Sequence, residues 1–597
     1  MKNMRFWFFY LLICCEGYSF IDYQGTMNDF MGVNIHAQLY FDHYNGTFAD
    51  YDISLPFRWV RNYHPWGWFE SVNDNYQWNF SGEGKWKWFD DYYNRLAQDS
   101  INILITLISP PAWVTGAPCV FNDNGDGSDE NHYRESAEYL AQLAARYGPS
   151  GNIADEKLES SDAFKGLDLC RYFEDSNEPN QWWETNTWNP VNFGKFLNAA
   201  HDGSGVSIDE SVPLAGVKQG DSNAYHVLGG MAGTALVKST AFDGSYLDTA
   251  VKSSGRSASQ IFDVINFHQY WNTTDSIPWP WTGASGVCPE NGIYERGDSS
   301  VFKMLRWRDL NAPGRPVWLT EFGWDTYSGG GNNHSYQYAP ELQQANYIMR
   351  SFALLKREGI DKAFVYFDQD PNSSSTTQYA SCGLVKNKAN SYQRKISYYF
   401  MTTMRRVLGE YHFSGAEKHA EGNPQVFVYR YSRTVQDEVL MVWCRDPKSI
   451  VDNGTTLSNY EINIPGMNSC MQIVPKNGSL DGESNSLPVI NQGDSGASVV
   501  VPLVSETPRF LKLALSGVST VTSKKVTSGS VSCRVKGRSI QFYGIPSGAG
   551  VEMYRLDGKL LLKYNSVSGT QSIELSPGTF IYRIEGSPNR CGMVVVD

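Results

Sequence analysis

The sequence predicts an α/β chain: a (β/α)₈ barrel, then an antiparallel β-sandwich, then a small C-terminal β-domain. Three observations predict it. From about residue 30 to 410, short apolar runs alternate with amphipathic helical stretches, the rhythm of parallel strands joined by crossover helices. After Gly409 the pattern changes to apolar–polar alternation between turns rich in Gly, Asn, Ser and Pro, as antiparallel sheets show. At 597 residues the chain is also too long for one core, so two to four domains are expected.

Residues 1–19 read as a signal peptide. Lys2 and Arg5 form a basic start, Phe6 to Cys15 an apolar run, and Gly17 and Ser19 are small residues before a cleavage point ahead of Phe20. The run is too short to span a bilayer, so the protein is expected to be secreted or at the cell surface. A lipoprotein anchored at Cys15 is the alternative. The barrel is placed at 20–410. Its strands are expected at MGVNIH (31–36), FRWVR (57–61), INILITLIS (101–109), CRYFEDS (170–176), VPLAGV (212–217), DVINFHQYW (263–271), PVWLTEF (316–322) and KAFVYFD (362–368). Helical stretches fall between them, such as WKWFDDYYNRLAQDS and YRESAEYLAQLAARYG. An open doubly wound sheet is the alternative, but no GxGxxG turn follows the first strand. The sandwich is placed at 411–516, a Ser/Thr/Lys-rich linker at 517–530 and the last β-domain at 531–597.

The net charge of −13, with no basic cluster, excludes nucleic acid as a partner. Eight cysteines follow the leader with no CxxC pair, which excludes a zinc ribbon and permits disulfides in an oxidising compartment. His36, His64 and His268 lack ligand spacing, so no metal is assigned. The loop FNDNGDGSDE (121–130) partly matches a calcium-binding loop at Asn122, Asn124, Asp126 and Gly127, but Tyr133 stands where the twelfth-position Glu belongs. It reads as a solvated acidic loop.

Catalytic residues of a barrel come from the C-terminal strand ends. Glu178 follows the fourth expected strand, in Asn-Glu-Pro, and Glu321 ends the seventh. Two carboxylates facing one cleft suit cleavage of a glycosidic bond: one protonates the leaving oxygen, and the other attacks the anomeric carbon or activates water. Asn177 would bond a sugar hydroxyl or position Glu178. Arg61, ending the second strand, would keep Glu321 ionised. Sixteen of the 18 tryptophans lie between Trp59 and Trp324, which suggests a ring-lined cleft beside a Trp-rich core. Trp66, Trp68, Trp182, Trp183, Trp271 and Trp324 are the candidate sugar platforms. His36 and His64 are either substrate-facing residues or core histidines.

These residues resemble those of glycoside hydrolase clan A, the retaining β-glycosidases on a (β/α)₈ barrel. The resemblance rests on Asn177-Glu178, Glu321, Arg61, and His268 and Tyr270 in NFHQYW, and it covers residues 30–410. It implies that Glu178 is the acid/base and Glu321 the nucleophile, supported by Tyr270, with no cofactor required. One departure is that such enzymes often carry a Trp at the end of strand eight, where this chain has VYFDQD, so either Phe367 or Tyr366 would serve or the subsite is built differently. The tail is similar to the C-terminal sorting domain of type IX secretion in Bacteroidetes, which implies the outer-membrane secretion machinery as a partner. The expectation is therefore a secreted, monomeric, retaining hydrolase. Its partner would be a polysaccharide, cleaved internally; a β-glucan, β-1,3-linked, comes first, with xylan, mannan and algal galactan open. The rival is a non-catalytic carbohydrate-binding protein on an inactivated barrel.

Overall fold

The computed structural model describes residues 25–35, 52–78, 88–114, 121, 125–160, 162, 164–180, 188–233, 236, 238–239, 244–271, 287–293, 300–330, 338–434, 436–491 and 496–515. It describes 532–536, 539–555, 560–574, 578–584 and 591–596 as backbone strands. The leader and the linker lie outside the described residues. The chain forms two compact units, residues 1–515 and 516–597.

Nine parallel strands of the first unit make one curled sheet in the order β5-β4-β3-β2-β1-β11-β10-β9-β6. They are β1 (Met31–Ile35), β2 (Trp59–Pro65), β3 (Asn102–Ile108), β4 (Tyr172–Glu174), β5 (Tyr225–Val227), β6 (Met231–Ala232), β9 (Ile265–His268), β10 (Val317–Phe322) and β11 (Lys362–Val365); β7 (Lys238–Ser239) and β8 (Gly244–Ser245) pair apart from it. The two ends of that order are consecutive pieces of one stretch. A bridge from Val227 to Val264, and a 3.0 Å hydrogen bond from Leu228 N to Val264 O, link it to the start of β9. The result is an α/β barrel whose ladder is not closed continuously at this point.

Seven of the eight expected strands overlap observed ones. The fifth, VPLAGV (212–217), does not: the strand pieces lie at 225–227 and 231–232, and 217–220 is a helical turn. Pro213 removes a ladder donor, and Gly216 adopts φ +80°, so the apolar run is a buried connection. The true stretch, YHVLGGMA, is interrupted by a Gly pair that hides its alternation. Gly230 is required there, because a Cβ would lie 2.1 Å from His268 Nε2.

Period-two alternation stacks the interior in layers. Trp59, Leu104, Val227, Val264, Trp318 and Phe364 form an apolar floor. Two residues further along their strands come Arg61, Thr106, Asn266 and Thr320, and Glu174 stands two beyond Tyr172, all fully buried. Two further again are Tyr63 and His268. On β10 the pairing to β9 shifts between Leu319 and Glu321. This bulge turns Glu321 towards the same interior as Thr320, against strict alternation.

Behind the barrel strands lie helices including Arg134–Tyr147, Glu341–Glu358 and Ile396–Leu408, with apolar faces on the main core. From His412, antiparallel strands build a six-stranded and a three-stranded sheet around a second core of Val428, Leu440, Val442, Val499 and Leu511. Arg350 Nη2 reaches both Glu290 (3.0 Å) and Asp452 (2.9 Å), and all three are buried. Cys170, Cys288, Cys382, Cys444 and Cys470 are buried free thiols. The second unit is an antiparallel sheet of five strands, the last being Cys591–Val596.

Candidate active site

Arg61 is the centre of the charged layer. Its Nε and Nη2 donate to Glu174 (2.6 and 2.9 Å), Nη1 donates to Glu321 Oε1 (2.8 Å) and to Asn34 Oδ1 (2.9 Å), and Nη2 also reaches Asn177 Oδ1 (2.9 Å). Glu174 further accepts from Thr106 Oγ1 (2.6 Å), Asn266 Nδ2 (2.9 Å) and Gly230 N (2.9 Å).

Glu321 is nearly buried, at 5% exposure. Tyr63 donates to its Oε1 at 2.6 Å and Tyr270 to its Oε2 at 2.8 Å. Burial alone would raise this carboxyl. His268 and the Arg61 guanidinium beside it, with the two tyrosine hydroxyls, outweigh burial and hold it below the usual carboxylate range.

Glu178 sits just beyond β4 in the left-handed region, φ +47°, a conformation that costs a non-glycine residue about 1–2 kcal/mol. Its N–H donates to Gly230 O (3.0 Å), and Asn180 clamps the same turn through Ala232 N and O (2.8 and 2.9 Å). Oε1 lies 2.9 Å from His268 Nδ1. The donors around His268 follow in sequence from Glu174. Asn266 gives its Nδ2 to Glu174, so its Oδ1 accepts from Thr320 Oγ1 (2.7 Å), and Thr320 in turn accepts from His268 Nε2 (3.1 Å). Nδ1 and Glu178 Oε1 therefore hold one proton between them. Either Glu178 donates to a neutral imidazole or an imidazolium donates to the carboxylate.

One oxygen each of Glu178 and Glu321 and a nitrogen of His268 lie within 4.8 Å of one another. That spacing would suit a metal ion, but Glu178 Oε1 is engaged by His268 and Glu321 Oε2 by Tyr270. Beside Glu321 stand three half-buried rings, with Tyr270 4.9 Å from Tyr379 and 6.4 Å from Tyr366.

The structure thus brings together Arg61, Asn177, Glu178, His268, Tyr270 and Glu321. Other candidates are interior. His64 is fully buried between the hydroxyls of Tyr93 (3.2 Å) and Tyr139 (2.9 Å) and stacks on Phe69 at 4.2 Å; burial lowers its pKa to about 3. It is a core histidine. Trp66, Trp271, Trp324 and Phe367 are 0–2% exposed, so none has a face open to a sugar. Trp66 instead donates to Glu70 (2.6 Å), and Trp324 to Val287 O (3.1 Å). At the end of β11, Tyr366 rather than Phe367 is the partly open ring. Trp68 is half-buried against Phe89. His36, Trp182 and Trp183 lie outside the described residues.

Sequence reasoning missed Glu174 and Tyr63. Both carried a signal: Tyr63 stands two residues after Arg61 and Glu174 four before Glu178, so alternation puts each on the inward face once the strands are extended that far. Asn266 and Thr320 were likewise visible as polar residues inside apolar runs.

No family model and no curated protein matches the chain. Among solved structures it is similar to a glycoside hydrolase family 30 endoxylanase from Clostridium papyrosolvens, at 14% identity and TM-score 0.45 over 83% of this chain and 98% of that one. It is similar to a family 30 xylanase from Clostridium acetobutylicum at 13% and 0.45, over 82% and 97%. A family 44 xyloglucanase from Paenibacillus polymyxa gives 11% and 0.44, over 83% and 97%.

Proposed function

We propose that the protein is a retaining glycoside hydrolase that cuts β-linked polysaccharide. One observation carries the reading: Glu178 and Glu321 present oxygens within 4.8 Å of each other, one carboxylate held ionised and the other sharing a proton with His268. Retaining enzymes place their carboxyl groups about 5–5.5 Å apart, whereas inverting ones leave about 6.5–9.5 Å for a water.

Glu178 gives the proton it shares with His268 to the glycosidic oxygen as the bond to the anomeric carbon breaks. Glu321 forms the new bond to that carbon. Its Oε2 is the attacking oxygen: Oε1 carries both Arg61 and Tyr63, while Oε2 carries Tyr270 and faces His268 Nδ1 at 3.6 Å. In the second step Glu178, now a carboxylate, takes a proton from water, whose oxygen attacks the same carbon and releases Glu321. Tyr270, Tyr366 and Tyr379 are the described rings placed to pack on a sugar.

The leader and the tail support export through an outer-membrane secretion route, with the protein acting as a monomer outside the cell. A β-glucan, β-1,3-linked first, is the expected substrate, cut internally; xylan, mannan and galactan belong in the same panel. The test is incubation with that panel, followed by proton NMR of the first-formed anomer and by size analysis of the products. The expected result is one polysaccharide cut with retention, and activity lost in Glu321→Gln. No cutting of any polysaccharide, a first-formed inverted anomer, or a fully active Glu321→Gln would each overturn it.

A further inference from the structure

A second carboxylate cluster lies outside the charged layer of the barrel. Asp74 follows β2, Glu138 is on the helix Arg134–Tyr147, and Glu159 precedes β4; one oxygen from each lies within 4.8 Å of the other two. Glu138 is fully buried, and neither of its oxygens has a hydrogen-bond partner; Glu159 Oε2 has none either. Tyr76, 3% exposed, adds a buried hydroxyl without a partner. Burial pushes the Tyr76 hydroxyl up, and the carboxylates of Glu70, Glu138 and Glu159 add to the rise. Its backbone bridges Ser160, and its ring stacks on Tyr139 at 5.7 Å.

Among the described residues no ion pair reaches Asp74, Glu138 or Glu159. The nearby cation, Arg134, directs Nη2 to Asp209 (3.0 Å) and Nε to Glu135 (3.1 Å). Three carboxylates at this spacing repel unless a proton or a cation joins them. One proton between Glu138 and Glu159 would leave the second Glu138 oxygen unpartnered, whereas a cation offsets the charge of all three carboxylates at once. The donors are carboxylate oxygens only, which is the ligand set of a hard divalent ion. Two oxygens bound at about 2.3–2.6 Å can lie no further apart than twice that length, and the cluster meets this limit.

We propose that Asp74, Glu138 and Glu159 bind a calcium-class divalent cation that ties the segment after β2 and the segment before β4 to the helix between them. Asp74 is exposed and offers the entry. The site is distinct from the acidic loop at 121–130, where Asp126 accepts from Ser128 N at 3.0 Å.

The test uses the full-length protein, with calcium chloride and terbium chloride as probes. After EDTA treatment the Tm should fall, and calcium should restore it in a concentration-dependent way. Terbium luminescence excited through the aromatic rings should rise on binding and be displaced by calcium. Asp74→Asn, at the exposed rim, should weaken both responses at least tenfold, and Glu138→Gln should abolish them while the protein remains folded, since the amide adds no charge to a buried site. Asp126→Asn should leave both unchanged. Two results would overturn the proposal: wild-type protein that shows neither a Tm response nor terbium luminescence, or responses that survive both Asp74→Asn and Glu138→Gln.

Discussion

Tyr63→Phe removes one hydroxyl and nothing else. In the structure that hydroxyl donates to Glu321 Oε1 at 2.6 Å inside a buried layer. A hydrogen bond to a charged group contributes about 1.5–3 kcal/mol, which corresponds to about 1–2 pK units of bias towards the carboxylate. In the proposed mechanism Glu321 must be ionised to attack, so the acidic limb of kcat/KM against pH would report its titration. Its folded pKa lies below the usual value, and removing a donor to the ionised form moves it up. The acidic limb should therefore shift to higher pH by about 1–2 units, with activity largely recovered on the alkaline side of the limb. Stability shows the same sign. The depressed pKa contributes stability that is present above the unfolded value and lost as pH falls through the folded one, so the variant should lose stability near neutral pH and less of it at low pH. The assay is a pH series of kcat/KM on the polysaccharide that the panel identifies. A limb that stays in place while kcat/KM drops equally at every pH would refute the reasoning, because Tyr63 would then act on the transition state rather than on the charge of Glu321.

Three further outcomes are expected. Glu174→Gln removes the bidentate partner of a fully buried guanidinium, and breaking a buried pair costs about 3–5 kcal/mol; urea denaturation should show that loss together with a large fall in kcat. Arg350→Met leaves Glu290 and Asp452 buried without their cation and should destabilise the first unit by about 3–5 kcal/mol; an unchanged urea midpoint would refute the role assigned to Arg350. For His64, burial puts the folded pKa at about 3 against 6.5, so its contribution to stability is complete above the unfolded value and lost as pH falls from about 6.5 towards 3, by about 3–5 kcal/mol. His64→Gln should flatten stability against pH over that window, as read from urea midpoints at successive pH values.

How far the fold could be read depended on whether alternation survived in each segment. MGVNIH, INILITLIS and PVWLTEF kept predominantly apolar runs with no internal proline or glycine pair, and all three are strands. The fifth strand did not. Its Gly229-Gly230 pair lets the backbone approach His268 and Glu174, and this functional close approach removed the apolar side chains that mark a strand. VPLAGV showed the opposite case, an apolar run buried as a connection because Pro213 and the positive φ of Gly216 exclude a ladder. Tryptophan was legible as a domain marker and poor as a site marker. Trp59 and Trp318 meet edge-to-face at 5.7 Å in the barrel floor, and Trp271 and Trp324 stack at 6.0 Å in the main core. A large ring stabilises an interior as readily as it walls a cleft, so its count alone cannot separate the two.

The charged layer shows why two glutamates alone would not make this site. Arg61 gives its stronger geometry, two parallel hydrogen bonds, to Glu174 and only Nη1 to Glu321. Without Glu174, the full guanidinium charge would fall on Glu321 and hold it in a tight ion pair, which the proposed mechanism requires Glu321 partly to break in order to attack. With Glu174 in place, Arg61 is shared, and the hydroxyls of Tyr63 and Tyr270 complete the stabilisation of Glu321. The same Glu174 orients Asn266, and through Thr320 it leaves His268 Nδ1 facing Glu178. In the proposed mechanism one buried carboxylate therefore sets both the availability of Glu321 as nucleophile and the location of the proton of Glu178, and the two conditions should fail together when it is removed. Thr320→Val separates them: it breaks the relay to His268 while leaving the Arg61–Glu174 pair intact. It should lower activity most on substrates with poor leaving groups, where proton donation limits the rate, and leave aryl glycosides with good leaving groups nearly unaffected. An equal loss on both substrate types would show that the relay does not hold the proton of Glu178.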